Sequence, residues 1–339
     1  MLLVSLLSLR DRKQYVVVND AKSDTSPITC GVPQGSVLGP LLFLLYVNDI
    51  HCCVQKENCI RLFADDTNIF ISGNNIIELR NEGERILESL YKWFSVNKLT
   101  MNIDKTCFSI FTTQRNHEEI FSTLTFGTHT IQRVQSAKYL GVILDDKLNW
   151  NEHIENVLNN IVKYLNCFKY IRKHIPTNCA RILYYSFIYP RISYGIEIYG
   201  KTSKLNINKL QIMQNKCLKI LLNLHPRTST NYVHKLANVL KVSDISEYVT
   251  INFVHRQLNG NLPPIYNNYF VRNSQIHHYA TRQSSHLYLP QPNSQHGHKM
   301  TKFMGPLLWN SLPGNLREIT NNERFKKELK QFYINNYEL

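Results

Sequence analysis

The sequence predicts an α+β fold: an antiparallel sheet with helices, followed by a mainly α-helical basic region. Three observations carry that expectation. Short β-branched or aromatic runs, among them Tyr15–Val18, Arg61–Ala64 and Thr67–Ile71, are separated by turn residues and lie before Trp150. From Trp150 onward apolar residues recur at helical spacing. The charge divides along the same line: residues 1–112 carry 11 basic and 12 acidic side chains, net −1, and residues 113–339 carry 28 and 13, net +15.

Taken in order, Tyr15–Val18 and Ile28–Cys30 read as a hairpin across the polar turn 19–26. Gly31-Val-Pro-Gln-Gly35-Ser-Val-Leu-Gly39-Pro40 is a constrained loop, with Pro40 at a helix start. The helix that follows, through Asp49, is apolar nearly all round and is expected to be buried on most sides. Two strands then flank Asp65-Asp66, which places both carboxylates in the turn. Ile76, Leu79, Ile86, Leu90, Trp93 and Phe94 predict a long amphipathic helix ending near Lys98. Strands are expected in 101–112, 124–126, 130–134 and 139–144, and helices over 152–174, 178–200, 205–223 and about 243–258. Residues 271–300, rich in His, Gln, Ser and Asn, read as a polar linker or loop before a C-terminal tail, 301–339, with an amphipathic helix.

Composition limits the function. With 43% apolar residues the chain is globular rather than disordered throughout, and its formal charge of +14 calls for an anionic partner, nucleic acid or a membrane surface. The runs Met1–Leu9 and Leu41–Val47 are far shorter than the roughly 20 residues that span a bilayer. Met1–Leu9 also lacks the positive start and small-residue site of a signal peptide. The expectation is an intracellular protein, in nucleus or cytoplasm, neither secreted nor in a membrane. Cys52, Cys53 and Cys59 near His51 match no zinc spacing and read as free thiols. His277, His278, His286, His296 and His298 are either a solvated cluster or a metal site without regular spacing.

Asp65-Asp66 is the sharpest chemical feature. Two carboxylates about 5 Å apart repel by on the order of 3 kcal/mol at an effective dielectric near 20, and a hard divalent cation reverses that sign. The same dipeptide also suits an ordinary exposed hairpin turn. Its context resembles a known family. The Gly31–Phe43 loop, followed by Phe63-Ala64-Asp65-Asp66, resembles the adjoining B and C motifs of reverse transcriptases, and the whole chain is similar to the jockey-type non-LTR retrotransposon subgroup. Leu99-Thr-Met-Asn102-Ile-Asp-Lys105-Thr106 resembles the D motif, Tyr139–Asp145 the primer-grip strand, and Trp309–Pro313 with the closing helix the tail of such elements.

The resemblance implies an RNA-directed DNA polymerase that adds dNTPs to a primer 3′-OH on an RNA template by two-metal phosphoryl transfer, using Mg²⁺ or Mn²⁺. It implies a partial polymerase palm over 1–148 and a basic thumb-like region over 149–270. Asp65 and Asp66 are then catalytic metal ligands, and Lys105 protonates the leaving pyrophosphate. Gln34, Gly35 and Ser36 lie at the template base and incoming nucleotide, and Tyr139, Leu140, Gly141 and Val142 at the primer end. The tyrosines Tyr164, Tyr170, Tyr184 and Tyr185, set among basic residues, serve as stacking platforms or as core.

One departure is expected. The family's A-motif aspartate precedes the B motif on an earlier strand, and Asp11, Asp20 and Asp24 lie in a turn and hairpin instead. On this reading the chain is truncated at its N-terminus and is nearly inactive alone, with an unpaired apolar sheet edge beside the Asp65-Asp66 hairpin. The alternatives are a non-catalytic RNA- or DNA-binding remnant and a non-functional pseudogene product.

Overall fold

The computed structural model describes residues 11–29, 31–32, 35–54, 59–112, 121–276 and 283–338, and these form an α+β region followed by a mainly helical one. The chain divides into two compact units, Met1–Gln135 and Ser136–Leu339.

The first unit opens with an exposed ladder. β1 (Lys13–Gln14) pairs with β4 (Ser26–Pro27), and β2 (Val17–Val18) with β3 (Ala21–Lys22). Asn19 and Asp20 both take left-handed φ, 48° and 66°, as the two-residue hairpin turn between β2 and β3 requires. The hairpin is therefore tighter than a pairing of 15–18 with 28–30. α1 (Gly39–Tyr46) starts with Pro40 in its first turn, while the Ser36 hydroxyl accepts the Gly39 N–H at 3.0 Å. It stops at Tyr46, and a single 3₁₀ turn, Ile50–Cys53, follows. The expected burial of this helix is not observed: Leu41, Leu44 and Leu45 are 54, 53 and 67% exposed.

β5 (Cys59–Phe63) and β6 (Asp66–Phe70) form an antiparallel hairpin with no third strand among the described residues. α2 (Ile76–Val96), capped by the Asn75 side chain on the Ile77 N–H, lies between this hairpin and a three-stranded sheet. Ile86 and Leu90 pack with Ile50, Ile60, Leu62 and Ile69 on one side. On the other, Leu87 packs with Leu124, Phe126 and Ile131. That sheet has the order β7 (Cys107–Phe108), β9 (His129–Arg133), β8 (Thr123–Phe126), so the expected long strand over 101–112 is reduced to a 3₁₀ turn, Ile103–Lys105, and two paired residues. Glu84 fastens α2 to β8 by accepting the Thr125 N–H and hydroxyl at 3.0 and 3.1 Å.

The second unit begins with a hairpin, β10 (Ser136–Tyr139) and β11 (Val142–Asp145). The Asp145 carboxylate accepts the N–H groups of Lys147, Asn149 and Trp150, which shapes the entry to α3 (Asn151–Ile171). The expected helix over 178–200 is broken into α4 (Thr177–Leu183), a π turn over Tyr184–Ile188, α5 (Tyr189–Ser193) and α6 (Ile196–Tyr199). Pro190 has no N–H to give and its ring crowds the carbonyl one turn back, so the Tyr189 N–H reaches Tyr184 instead.

Further along lie α7 (Lys204–Leu221), α8 (Thr230–Ala237) and α9 (Val242–Leu258). They are followed by α10 (Asn273–Ile276), α11 (Gln295–Lys299), α12 (Thr301–Ser311), α13 (Gly314–Arg317) and α14 (Asn322–Asn335). One core gathers Ile154, Ile161, Tyr184, Ile192, Tyr199 and Leu210, all fully buried. A second gathers Val254, Phe270, Leu287, Trp309, Phe325 and Leu329. The described part of the polar stretch 271–300 is thus anchored: Leu287 is buried, and Asn310 bonds both its N–H and its carbonyl, at 2.9 and 2.8 Å.

Candidate active site

The Asp65-Asp66 hairpin is built on strand alternation. Ile60, Leu62 and Ile69 point inward to α2, while Arg61, Phe63, Asp66 and Phe70 share the exposed face. Phe63 pairs directly with Asp66, so the two-residue turn is Ala64-Asp65. This corrects the expected turn at Asp65-Asp66: Asp65 sits in the turn and Asp66 is the first residue of β6. Ala64 takes a left-handed φ of 51°, which costs an L-residue about 1–2 kcal/mol. Both carboxylates are exposed at a tip whose base is fixed by packing.

The remaining candidates of the first unit sit on other elements. Gly35 has φ 80°, and a Cβ there meets nothing within 4 Å, so its glycine answers to backbone conformation with open space beside it. Ser36 is half-buried and engaged at the start of α1. Gln34 lies outside the described residues, as do Cys30, His277 and His278. Lys105 closes the 3₁₀ turn that Asn102 caps, with its N–H on the Asn102 side chain at 3.2 Å, and its own side chain is exposed. Asp65, Asp66 and Lys105 form no ion pair with one another.

Tyr139–Val142 belong to the second unit. Leu140 and Gly141, φ 44° and 87°, form the turn of the β10–β11 hairpin. The turn is seated on α5 and its exit: the Tyr194 hydroxyl donates to the Leu140 carbonyl at 2.5 Å, and a Cβ on Gly141 lies 3.1 Å from the Tyr194 ring. A Cβ on Gly195 in turn lies 3.0 Å from Val142. His153 accepts the Ile143 N–H at 3.3 Å through Nδ1 and meets Tyr199 edge-on, and burial lowers its pKa. Sequence reading missed Tyr194, Gly195 and His153. Tyr194 lies 54 residues from its partner Leu140, and the one available signal was the Tyr194-Gly195 break in helical pattern.

The four tyrosines divide. Tyr184 is fully buried and belongs to the core, its hydroxyl bonded by Gln214 at 2.7 Å, and burial drives its pKa well above the ordinary value. Tyr170 is 72% exposed. Tyr164 carries the Arg191 guanidinium over its ring, 4.6 Å from the centroid, and Tyr185 receives the Lys330 ammonium at 2.9 Å. Among the described residues no three His, Cys, Asp or Glu side chains gather for a metal ion, and none of their helices is long and apolar enough to cross a membrane.

Residues 4–144 match the family model described as reverse transcriptase (RNA-dependent DNA polymerase). The chain is 27% identical over 257 residues to the RNA-directed DNA polymerase from mobile element jockey of Drosophila melanogaster, covering 73% of this chain and 28% of that protein. It is 26% identical over 245 residues to the probable RNA-directed DNA polymerase from transposon BS of the same fly, covering 70% and 27%. Against the Pol polyprotein of the type-1 retrotransposable element R1 of Bradysia coprophila it is 24% identical over 199 residues, 58% of this chain and 20% of that one. These matches support a reverse transcriptase domain over residues 4–144. That domain is related, at low identity, to those of non-LTR retrotransposons, and the chain spans under a third of the length of these curated relatives.

Proposed function

We propose that the chain is part of an RNA-directed DNA polymerase of a non-LTR retrotransposon, which joins dNTPs to a DNA primer 3′-OH on an RNA template. The observation that carries this reading is the pair Asp65 and Asp66 at the exposed tip of a hairpin packed on α2. Two adjacent carboxylates are a hard-oxygen donor set of the kind Mg²⁺ or Mn²⁺ takes together with substrate phosphates. When bound, such an ion neutralises charge on the phosphates and on the attacking and leaving oxygens.

In this reading residues 1–148 are palm, 149–270 a thumb-like region, 271–300 a connecting loop and 301–339 the tail. Asp65 and Asp66 hold the ion and orient the triphosphate. Lys105 gives a proton to the departing pyrophosphate. Gln34, Gly35 and Ser36 face the base and the incoming nucleotide, where the open space beside Gly35 admits a flat ring. Tyr139 through Val142 bear on the primer end, positioned by Tyr194. The basic excess of residues 113–339, net +15, tracks template–primer through its phosphates without reading sequence.

Primer extension on an RNA template with dNTPs and Mg²⁺ is expected to require both carboxylates. Equal extension by the Asp65→Ala/Asp66→Ala variant overturns the assignment. The same charge excess supports a second reading, a non-catalytic nucleic-acid-binding protein. That reading predicts salt-sensitive RNA binding that survives the double substitution, with no extension by either protein.

A further inference from the structure

The cations of the second unit are concentrated in one stretch. Residues 156–243, from within α3 to the start of α9, contain 14 Lys and Arg and a single acid, Glu197. The fold gathers several of them at one end. Thr202 donates to the Asn149 carbonyl at 3.0 Å, and the Asn206 amide to Asn151 Oδ1 at 2.8 Å, which sets the start of α3 beside the start of α7. The two helices then pack along each other, with Ile154, Ile161 and Phe168 sharing one core with Leu210, Cys217 and Leu221. They run the same way, so their C-terminal ends lie together.

That end is cationic. Lys169, Arg172 and Lys173 lie at the close of α3, Arg181 follows on α4, and Lys216 is near the close of α7. The Lys219 ammonium donates to the Pro226 carbonyl at 2.6 Å, which ties the loop carrying Arg227 to the end of α7. Lys169, Lys173, Arg181, Lys216 and Arg227 are exposed, and among the described residues none of them makes an ion pair. Glu338 bounds the group on the α8 side, where its carbonyl accepts the Asn231 amide at 2.7 Å.

The other end has the opposite sign. Between positions 145 and 155 the chain carries Asp145, Asp146, Glu152 and Glu155 against one cation, Lys147. Helix macrodipoles do not account for the cationic end, because each helix terminus is equivalent to roughly half a negative charge and two of them offset about one cation. The β10–β11 hairpin does not use it either. The hairpin adjoins the start of α3, and 21 helical residues put the cationic end about 30 Å away.

We propose that the C-terminal ends of α3 and α7 bind the phosphates of a nucleic-acid duplex about nine base pairs from the primer end seated at the β10–β11 hairpin, the helix length taken at 3.4 Å per pair. Exposed cations without carboxylate partners fit phosphates, and such contacts position a duplex without reading its sequence. The choice of a duplex over another polyanion, and the seat of its end at the hairpin, rest on the polymerase reading.

The test is equilibrium binding of the whole chain to RNA–DNA hybrids with a recessed primer 3′ end, one of about six and one of about fourteen base pairs, at two salt concentrations. The longer hybrid reaches the cationic end and is expected to bind about tenfold more tightly, with the steeper salt dependence. Lys169→Gln/Lys173→Gln is expected to remove most of that gain and to leave the shorter hybrid unchanged, and Lys216→Gln to act in the same direction from α7. Lys204→Gln/Lys209→Gln takes the same charge from the first half of α7 and is expected to leave the gain intact. All five side chains are exposed, so the substitutions spare the core. Equal effects of the two double substitutions, or equal effects on both hybrids, overturn the proposal. So does binding of anionic phospholipid vesicles through Lys169 and Lys173 with no gain from hybrid length. If both hybrids bind without that gain, only the cationic-end assignment fails; if neither binds, the polymerase reading fails as well.

Discussion

Leu45 and Leu210 are both helical leucines, one in each unit, and they meet different surroundings: Leu210 is fully buried in the larger core of the second unit, while Leu45 is 67% exposed on α1. The contrast extends to their units. The helical unit closes around side chains with no exposed area, among them Ile154, Tyr184, Ile192 and Phe325. In the first unit the described buried apolar residues other than Val47 form two small clusters on α2, and Val17, Val37, Leu44 and Phe63 stand more than half exposed. The helical unit is stabilised by its own interior. The first unit leaves apolar and acidic groups on its surface, Asp65 and Asp66 among them.

The largest expected effect follows from that contrast. Leu210→Ala deletes a buried side chain and is expected to cost about 2–5 kcal/mol, whereas Leu45→Ala is expected to stay within about 0.5 kcal/mol. Urea denaturation of both variants, with hydrogen exchange to assign the loss to a unit, checks the pair. Equal costs would show that Leu45 has a packing partner and would remove the distinction between the two interiors.

Acid divides the units next. In the helical unit, burial holds the His234 imidazole down to about 4 while Nδ1 meets the Val239 carbonyl at 2.9 Å. An unfolded histidine takes up its proton near 6.5, so between pH 6.5 and 4 the unfolded state binds more protons and stability falls as pH falls. The expected loss is about 3 kcal/mol from His234, with His153 and His255, both lowered by burial, acting in the same direction. Asp244, raised by burial, opposes it. In the first unit burial raises the Glu84 carboxyl, but the Thr125 and Arg80 hydrogen bonds outweigh it, and its pKa is lowered from 4.5. Its contribution is complete above the unfolded value and is lost only as pH falls through the lower folded one. Urea midpoints across this range are expected to drop for the helical unit while the first unit holds until about pH 4. Parallel decline in both would show that buried histidines do not set the acid limit of the helical unit.

How much of this was legible depended on the range of the interaction. The β5–β6 hairpin was readable from the alternation of Ile60, Leu62 and Ile69, yet its turn was placed one residue late. A two-residue slip of register leaves every side chain on the same face, so hydrophobic alternation fixes the faces without fixing the pairing. The helix over Gly39–Tyr46 was readable from its proline and its apolar run, but with leucines all round it the sequence held no signal for which side faces solvent. The break after Leu183 follows from Pro190, a local cause, and its consequence falls a turn earlier than a proline is usually taken to act. The seat of the Leu140-Gly141 turn was illegible because Tyr194 is remote in the chain. Adjacent Asp65 and Asp66 between two apolar strands were legible as the tip of a hairpin, because turn residues flanked by strand residues place them there whatever their chemistry.

Two glycines differ between the units in the same way. Gly35 and Gly141 have similar left-handed φ, 80° and 87°, but open space surrounds the first and the Tyr194 ring lies 3.1 Å from a Cβ on the second. Each alanine substitution is expected to cost about 1–2 kcal/mol for the backbone alone. Gly141→Ala then adds a packing cost that Gly35→Ala lacks, read as the difference between the two unfolding free energies. No difference would mean that the β10–β11 turn does not depend on its seat against Tyr194.

The smallest expected change in stability belongs to the residues with the largest expected role. Asp65 and Asp66 are exposed and form no ion pair with each other or with Lys105, so Asp65→Asn and Asp66→Asn remove like charge from one tip without removing a structural contact. Their unfolding free energies are expected to lie within about 0.5 kcal/mol of the natural chain. Mg²⁺ is expected to stabilise the natural chain by mass action and to leave both variants unchanged. The sign of the Mg²⁺ effect is what matters, because a pair kept for the hairpin alone would answer to substitution and not to the ion.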